Sequence, residues 1–211
     1  MSDARPEQDR RILKTKASLR DAMLGLMATR GWDEITIQEI CDQANVGRST
    51  FYVHYQSKDE LLSEGMNDLR DMISAQAEGP GLHFLPGLLD HMTQQRDIFR
   101  AAIGRRSGHG VARRFKKMVV QLVEIELKRR QHPAAKNAWL AMFVAGGIVE
   151  TMAWWIDAPE PPSINDMMRE LDELAQAALA SNTATLNNTP MIWPLPKHGS
   201  RRKRVPTKPK A

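Results

Sequence analysis

TIQEICDQANVGRSTFYVHYQSKDELL, residues Thr36 to Leu62, is the stretch that decides the fold. Thr36 and Glu39 make a T-x-x-E capping box, in which the hydroxyl meets the Glu39 amide and the carboxylate reaches back to the Thr36 amide, so a helix is expected from Ile37. Its inward stripe would be Ile37, Ile40, Cys41 and Ala44, which leaves Gln38, Glu39, Asp42 and Gln43 in water. Asn45 stands where the chain must reverse, and Asn tolerates the left-handed conformation well. Val46 plugs the turn. The next short helix, Arg48 to Tyr55, mixes a cation, hydroxyls, aromatics and a histidine, too polar for a core element and too aromatic for an idle surface. Such side chains are donors for phosphates and base edges. Ser57 and Glu60 form a second box, so a further helix begins at Lys58 with a cation where a phosphate could be met.

Upstream, Leu19, Ala22, Met23, Leu26 and Met27 share one face of a helix running from Arg11 to Arg30, and Gly31 stands just past its end. With Thr36, Ile37, Ile40, Ala44, Val46, Thr50, Phe51, Tyr52, His54, Tyr55, Lys58 and Leu61, these residues resemble the tetracycline-repressor (TetR) family of bacterial transcription regulators over roughly residues 11–64. Asn45 departs from the Gly the family usually has there. Gly47 replaces a more frequent Ser-like cap, a weaker N-cap by a few tenths of a kcal/mol.

The resemblance implies an all-α chain of about nine helices: a three-helix helix-turn-helix head, a connector helix and a C-terminal helical bundle. The expected division is a disordered arm over 1–10, a DNA-binding domain over 11–65, a ligand-binding and dimerisation domain over 66–182, and a basic, Pro-rich disordered tail over 183–211. Base reading falls to Arg48, Ser49 and Tyr52, and backbone anchoring to Thr36, Thr50, His54, Tyr55 and Lys58. The implied partners are double-stranded operator DNA, a small-molecule effector and a second copy of the chain. The implied setting is a bacterial cytoplasm at the nucleoid.

The C-terminal half supports this organisation. Val111, Phe115, Met118, Leu122 and Ile125 recur at spacings of three and four, with Arg113, Lys117, Glu124 and Lys128 turned outward. Ala138 to Ile156, AWLAMFVAGGIVETMAWWI, is apolar nearly all round and long enough to raise the question of a membrane span. Glu150 within it and the Gly146-Gly147 pair favour a central bundle helix instead. Ile164, Met167, Met168, Leu171, Leu174, Ala175 and Ala178 form the stripe of a last helix. These last two helices are the expected dimer interface. Effector contacts are expected from His91, Phe99, Phe115, Met118, Trp139, Met142, Phe143 and Trp154, with His83, His91 or Glu150 as the polar handle.

Charge is unevenly spread. The chain has 211 residues and a net charge of +5, with 30 Lys and Arg against 25 Asp and Glu. From Asn187 onward there are only cations, so the rest is close to neutral. That tail lends salt-sensitive DNA affinity or serves as a solubilising end. The single cysteine, Cys41, excludes an intramolecular disulfide and reads as a small core residue. The polar N-terminus carries no signal-peptide pattern. No Gly-rich phosphate loop, nucleophile elbow or metal-ligand spacing is present, so no enzyme, cofactor or metal is expected. The alternative function is a protein-binding adaptor that keeps the helix-turn-helix shape without reading DNA.

Overall fold

The computed structural model describes residues 4–77, 81–104, 109–131 and 138–181. Among them are nine helices, a single 3-10 turn (Trp32–Glu34) and no strand. The head comprises α1 (Ala4–Met27), α2 (Ile37–Ala44) and α3 (Arg48–His54), and α4 (Lys58–Ala75) leaves it as the connector. The body follows as α5 (Phe84–Gln94), α6 (Arg96–Ile103), α7 (His109–Arg129), α8 (Ala138–Asp157) and α9 (Ile164–Ser181).

Local chemistry sets the head's boundaries. Thr36 Oγ1 accepts from the Glu39 amide at 3.3 Å while Glu39 Oε2 accepts from the Thr36 amide at 2.8 Å, completing the expected box. Asn45 lies in the left-handed region (φ 53°, ψ 48°), and this lets the Val46 amide return to the Cys41 carbonyl at 2.9 Å. At α4 the box opens out: Ser57 Oγ accepts from the Glu60 amide, but the Glu60 carboxylate takes the Gln56 amide.

Two expected boundaries fall inside continuous helices. The arm over 1–10 was expected to be disordered, yet α1 starts at Ala4. Glu7 and Gln8 favour a helix, and Pro6 lies in the first turn, where a missing N–H costs nothing. The head–body boundary at 65/66 falls inside the unbroken α4, and α1 packs on α6, so head and body share one apolar core. Gly79, Pro80 and the basic tail lie outside the described residues.

In the body α8 packs chiefly on α7, with α6 and α9 beside it. Leu140, Ala141, Val144, Ala145, Ile148 and Met152 form its buried face. By length and composition α8 could cross a membrane, but half of its apolar window is buried against these neighbours. Along α7 the expected stripe holds as far as Leu122; Ile125 is then exposed and Glu126 takes the inner position, at 4% exposure. Its carboxylate accepts from Arg129 (2.7 Å) and Arg130 (2.5 Å) and faces His83 Nδ1 at 3.0 Å. Desolvation opposes its charge, but these partners prevail and its pKa falls below the usual carboxylate value. Arg130 also donates to the Gly81 carbonyl, and Asp172 accepts from the Leu82 amide at 2.6 Å. Gly81 has φ +84°, and a Cβ there would meet the Asp172 carboxylate, so only glycine fits this junction of α5, α7 and α9.

Candidate nucleic-acid interface

Helix α3 hangs from one buried ring. Phe51 is wholly buried, and at about 100° per residue its outward counterparts are Ser49 and Val53. Arg48 and Tyr52 flank that face on one side, and half-buried Thr50 and His54 on the other. The Arg48 guanidinium lies 5.9 Å from the Tyr52 ring centroid and donates to its hydroxyl at 3.4 Å, which holds the exposed pair side by side. Arg48, Ser49 and Tyr52 thus share an open surface, as expected of base readers. Thr36 is exposed beside the start of α2, its hydroxyl already engaged with Glu39. Sequence reasoning passed over Val53, at 77% exposure the most exposed large apolar residue of the described chain.

Two expected phosphate anchors have partners within the chain. Tyr55 is buried, and its hydroxyl donates to Glu64 Oε1 at 3.2 Å, where Lys16 also binds at 3.0 Å. Burial, then the Glu64 carboxylate, pushes its pKa up. It ties the end of α3 to α4, on a carboxylate that Lys16 of α1 shares. Lys58 donates to the carbonyls of Trp32 (2.8 Å) and Ile35 (2.6 Å) and sits 4.8 Å from the Trp32 ring centroid. A half-buried ammonium with two carbonyl acceptors serves the loop before α2. Cys41 lies in the same core, where burial pushes its thiol pKa up.

Behind the head is a cavity of about 620 Å³ between α1 and α4 on one side and α5, α6 and α7 on the other. Its walls are apolar and rich in methionine: Met23, Leu24, Met27, Leu62, Met66, Leu69, Met72, Ile98, Phe99, Ala102 and Phe115. Arg20, Asp21, Asp68 and Gln95 edge it, and Arg20 Nη1 pairs with Asp68 Oδ2 at 2.6 Å. His91 is the polar group farther in; burial lowers its pKa, and its ring meets Phe99 edge-on at 5.7 Å. Burial therefore favours the neutral form of this imidazole.

Of the eight expected effector contacts, His91, Phe99 and Phe115 line this cavity. Met118 is buried but does not border it. Trp139, Met142, Phe143 and Trp154 are corrected: they are 53%, 58%, 65% and 55% exposed on the outer face of α8, because the helix turns its smaller aliphatic residues toward α7. Glu150 is exposed as well, and His83 is taken up by Glu126, which leaves His91 as the handle at the cavity. The methionines of α1 and α4 went unrecognised as lining. Their stripe reads as head core, and only the contact of α1 with α6 shows that it faces a space.

Residues 19–64, from within α1 into the start of α4, match the family model described as bacterial regulatory proteins, tetR family; residues 82–177 match a transcriptional regulator C-terminal region. The chain belongs to the TetR family of bacterial regulatory proteins. An uncharacterized HTH-type transcriptional regulator of Bacillus subtilis, YxbF, is 42% identical over 55 residues, which is 26% of this chain and 14% of that relative. Among solved structures, a TetR transcriptional regulator from Streptococcus agalactiae is 27% identical with a TM-score of 0.62, covering 80% of this chain and 97% of its own. Thermus thermophilus FadR, a TetR-family repressor solved with lauroyl-CoA, shares the fold at 18% identity and a TM-score of 0.51, over 77% of this chain and 94% of its own.

Proposed function

We propose that this TetR-family chain is a ligand-responsive repressor that binds a palindromic operator as a homodimer. The carrying observation is a recognition helix, α3, whose open face bears Arg48, Ser49 and Tyr52, on a head that shares a wall with an apolar cavity. Arg48 suits the bidentate edge of guanine, Ser49 and Tyr52 supply further hydrogen bonds, and Thr36, Thr50 and His54 meet phosphates. One short helix buries too little for useful specificity, and two copies would read half-sites about 34 Å apart. The exposed aromatic face of α8, together with α9, supplies the surface for that pairing. This setting is the bacterial cytoplasm.

The cavity is the effector site in this reading. Its walls include α1, which packs on α2 and through it supports α3, so an occupant bears directly on the head. Asp59 at the start of α4 is the other junction, paired with Arg114 of α7 at 3.1 Å and with the Trp32 indole at 3.2 Å. A ligand that shifts α1 against α6 changes the spacing of the two heads, and a coupling of about 2–3 kcal/mol gives a thirty- to hundredfold loss of operator affinity. The lauroyl-CoA complex of the Thermus protein supports a small molecule as the effector class. The rim here carries two carboxylates against one guanidinium, which favours an apolar effector that is neutral or cationic.

Selection of bound fragments from random and genomic DNA, at near-physiological salt, tests the reading. Enrichment of one palindrome is expected; the absence of any common sequence would favour the adaptor. Release of the selected operator by neutral or cationic apolar compounds, and by none of their anionic counterparts, is the expected effector result.

A further inference from the structure

Val53 occupies the middle of the DNA-facing surface, and nothing in the fold accounts for it. It lies on the side of α3 opposite the buried Phe51, one turn after Ser49, at 77% exposure. An open position in a short helix favours Ala or a straight polar chain, since a β-branched residue loses rotamer freedom there. Phosphates gain nothing from an isopropyl group, and neither do the donors and acceptors of base edges. The major-groove edges present one apolar feature, the 5-methyl group of thymine.

We propose that Val53 reads the 5-methyl group of a thymine in each operator half-site. The inference rests on the DNA-reading function proposed above and adds a base to it. Arg48 and Ser49, in the first turn of α3, take the edges nearer its start. Val53, a turn later, meets a methyl group beyond them, so the selected half-site carries a thymine at a fixed step from the base pair that Arg48 reads. Tyr52, beside Val53 and 48% exposed, helps to close the contact from water.

The test uses the full chain and its selected operator, with each thymine replaced in turn by deoxyuridine, which lacks only the methyl group. The wild type is expected to lose about threefold to fivefold in affinity per half-site at one thymine position, the worth of one buried methyl group. Val53→Ala, whose fold is checked by its melting temperature, is expected to bind the thymine and uracil forms alike at that position and unchanged elsewhere. Comparing the two ratios cancels the effect of uracil on the duplex itself. Identical thymine-to-uracil ratios for wild type and Val53→Ala at every position would overturn the assignment while leaving sequence-specific binding intact. A selection that yields no common sequence would overturn the DNA-reading function and this contact with it.

Discussion

Helices α3 and α8 both turn aromatic and aliphatic side chains to the outside, and they do so in different company. On α3 the exposed Tyr52 and Val53 stand with Arg48 and Ser49, so an apposed surface must supply acceptors as well as apolar spots. On α8 the exposed Trp139, Met142, Phe143 and Trp154 share their face with Gly147 and Glu150. Gly147 is also open, with nothing beyond its own helix near the place of a Cβ, so no packing among the described residues calls for a glycine there. The surface of α3 fits a polar, grooved partner, and that of α8 fits another helix packed closely. Exposure alone does not distinguish them; the company of each apolar residue does.

Phe143→Glu should produce the largest effect, because twofold pairing would set two like charges into an apolar interface. Operator affinity is expected to fall about a hundredfold or more as the dimer separates, read by sedimentation alongside DNA binding. A variant that stays dimeric with unchanged affinity would remove α8 from the interface and break the contrast.

Lys58→Met keeps the aliphatic stem but strands two carbonyls before α2. A loss of about 2–3 kcal/mol of head stability is expected, visible in denaturant titration. Undiminished stability with a salt slope of DNA binding shallower by about one would return Lys58 to the phosphate backbone.

Arg48→Ala should leave the melting temperature unchanged and cost about 1–3 kcal/mol of discrimination at one base pair. Wild-type preference retained in a fragment selection would move base reading elsewhere on α3.

The smallest effect concerns acid. The Thr36 hydroxyl, the Thr36 amide and Arg30 hold Glu39 at a pKa of about 2, against an ordinary 4.5. A depressed folded pKa contributes stability above the unfolded value that is lost as pH falls from about 4.5 toward 2. Glu39→Gln should flatten that part of the acid melt by lowering the melting point slightly at neutral pH, so that variant and wild type converge as pH approaches 2. An unchanged acid limb would mean that the box contributes nothing through its charge.

The head was legible because its signals are short-range. The Thr36–Glu39 capping box, the Asn45 turn and three-four spacing each act within a few residues, and each appears where the chain placed it. The sites were only partly legible. Arg48, Ser49 and Tyr52 belong to one exposed surface whose polarity marked them. Tyr55 and Lys58 carry the same chemical signature, yet Glu64, Trp32 and Ile35 claim them from other elements.

By itself the sequence determined the all-helical class, the helix-turn-helix, its register and the apolar character of α8, since each depends on residues that are neighbours along the chain. The tertiary structure decided which polar side chains stay open at the surface of α3, which face of α8 is open, and that the cavity is walled by methionines of the head and the connector. The physical reason is burial. Whether a lysine is an anchor or a strut, or a tryptophan a pocket wall or an interface, depends on what distant segments bring against it, and that is fixed only when the helices pack.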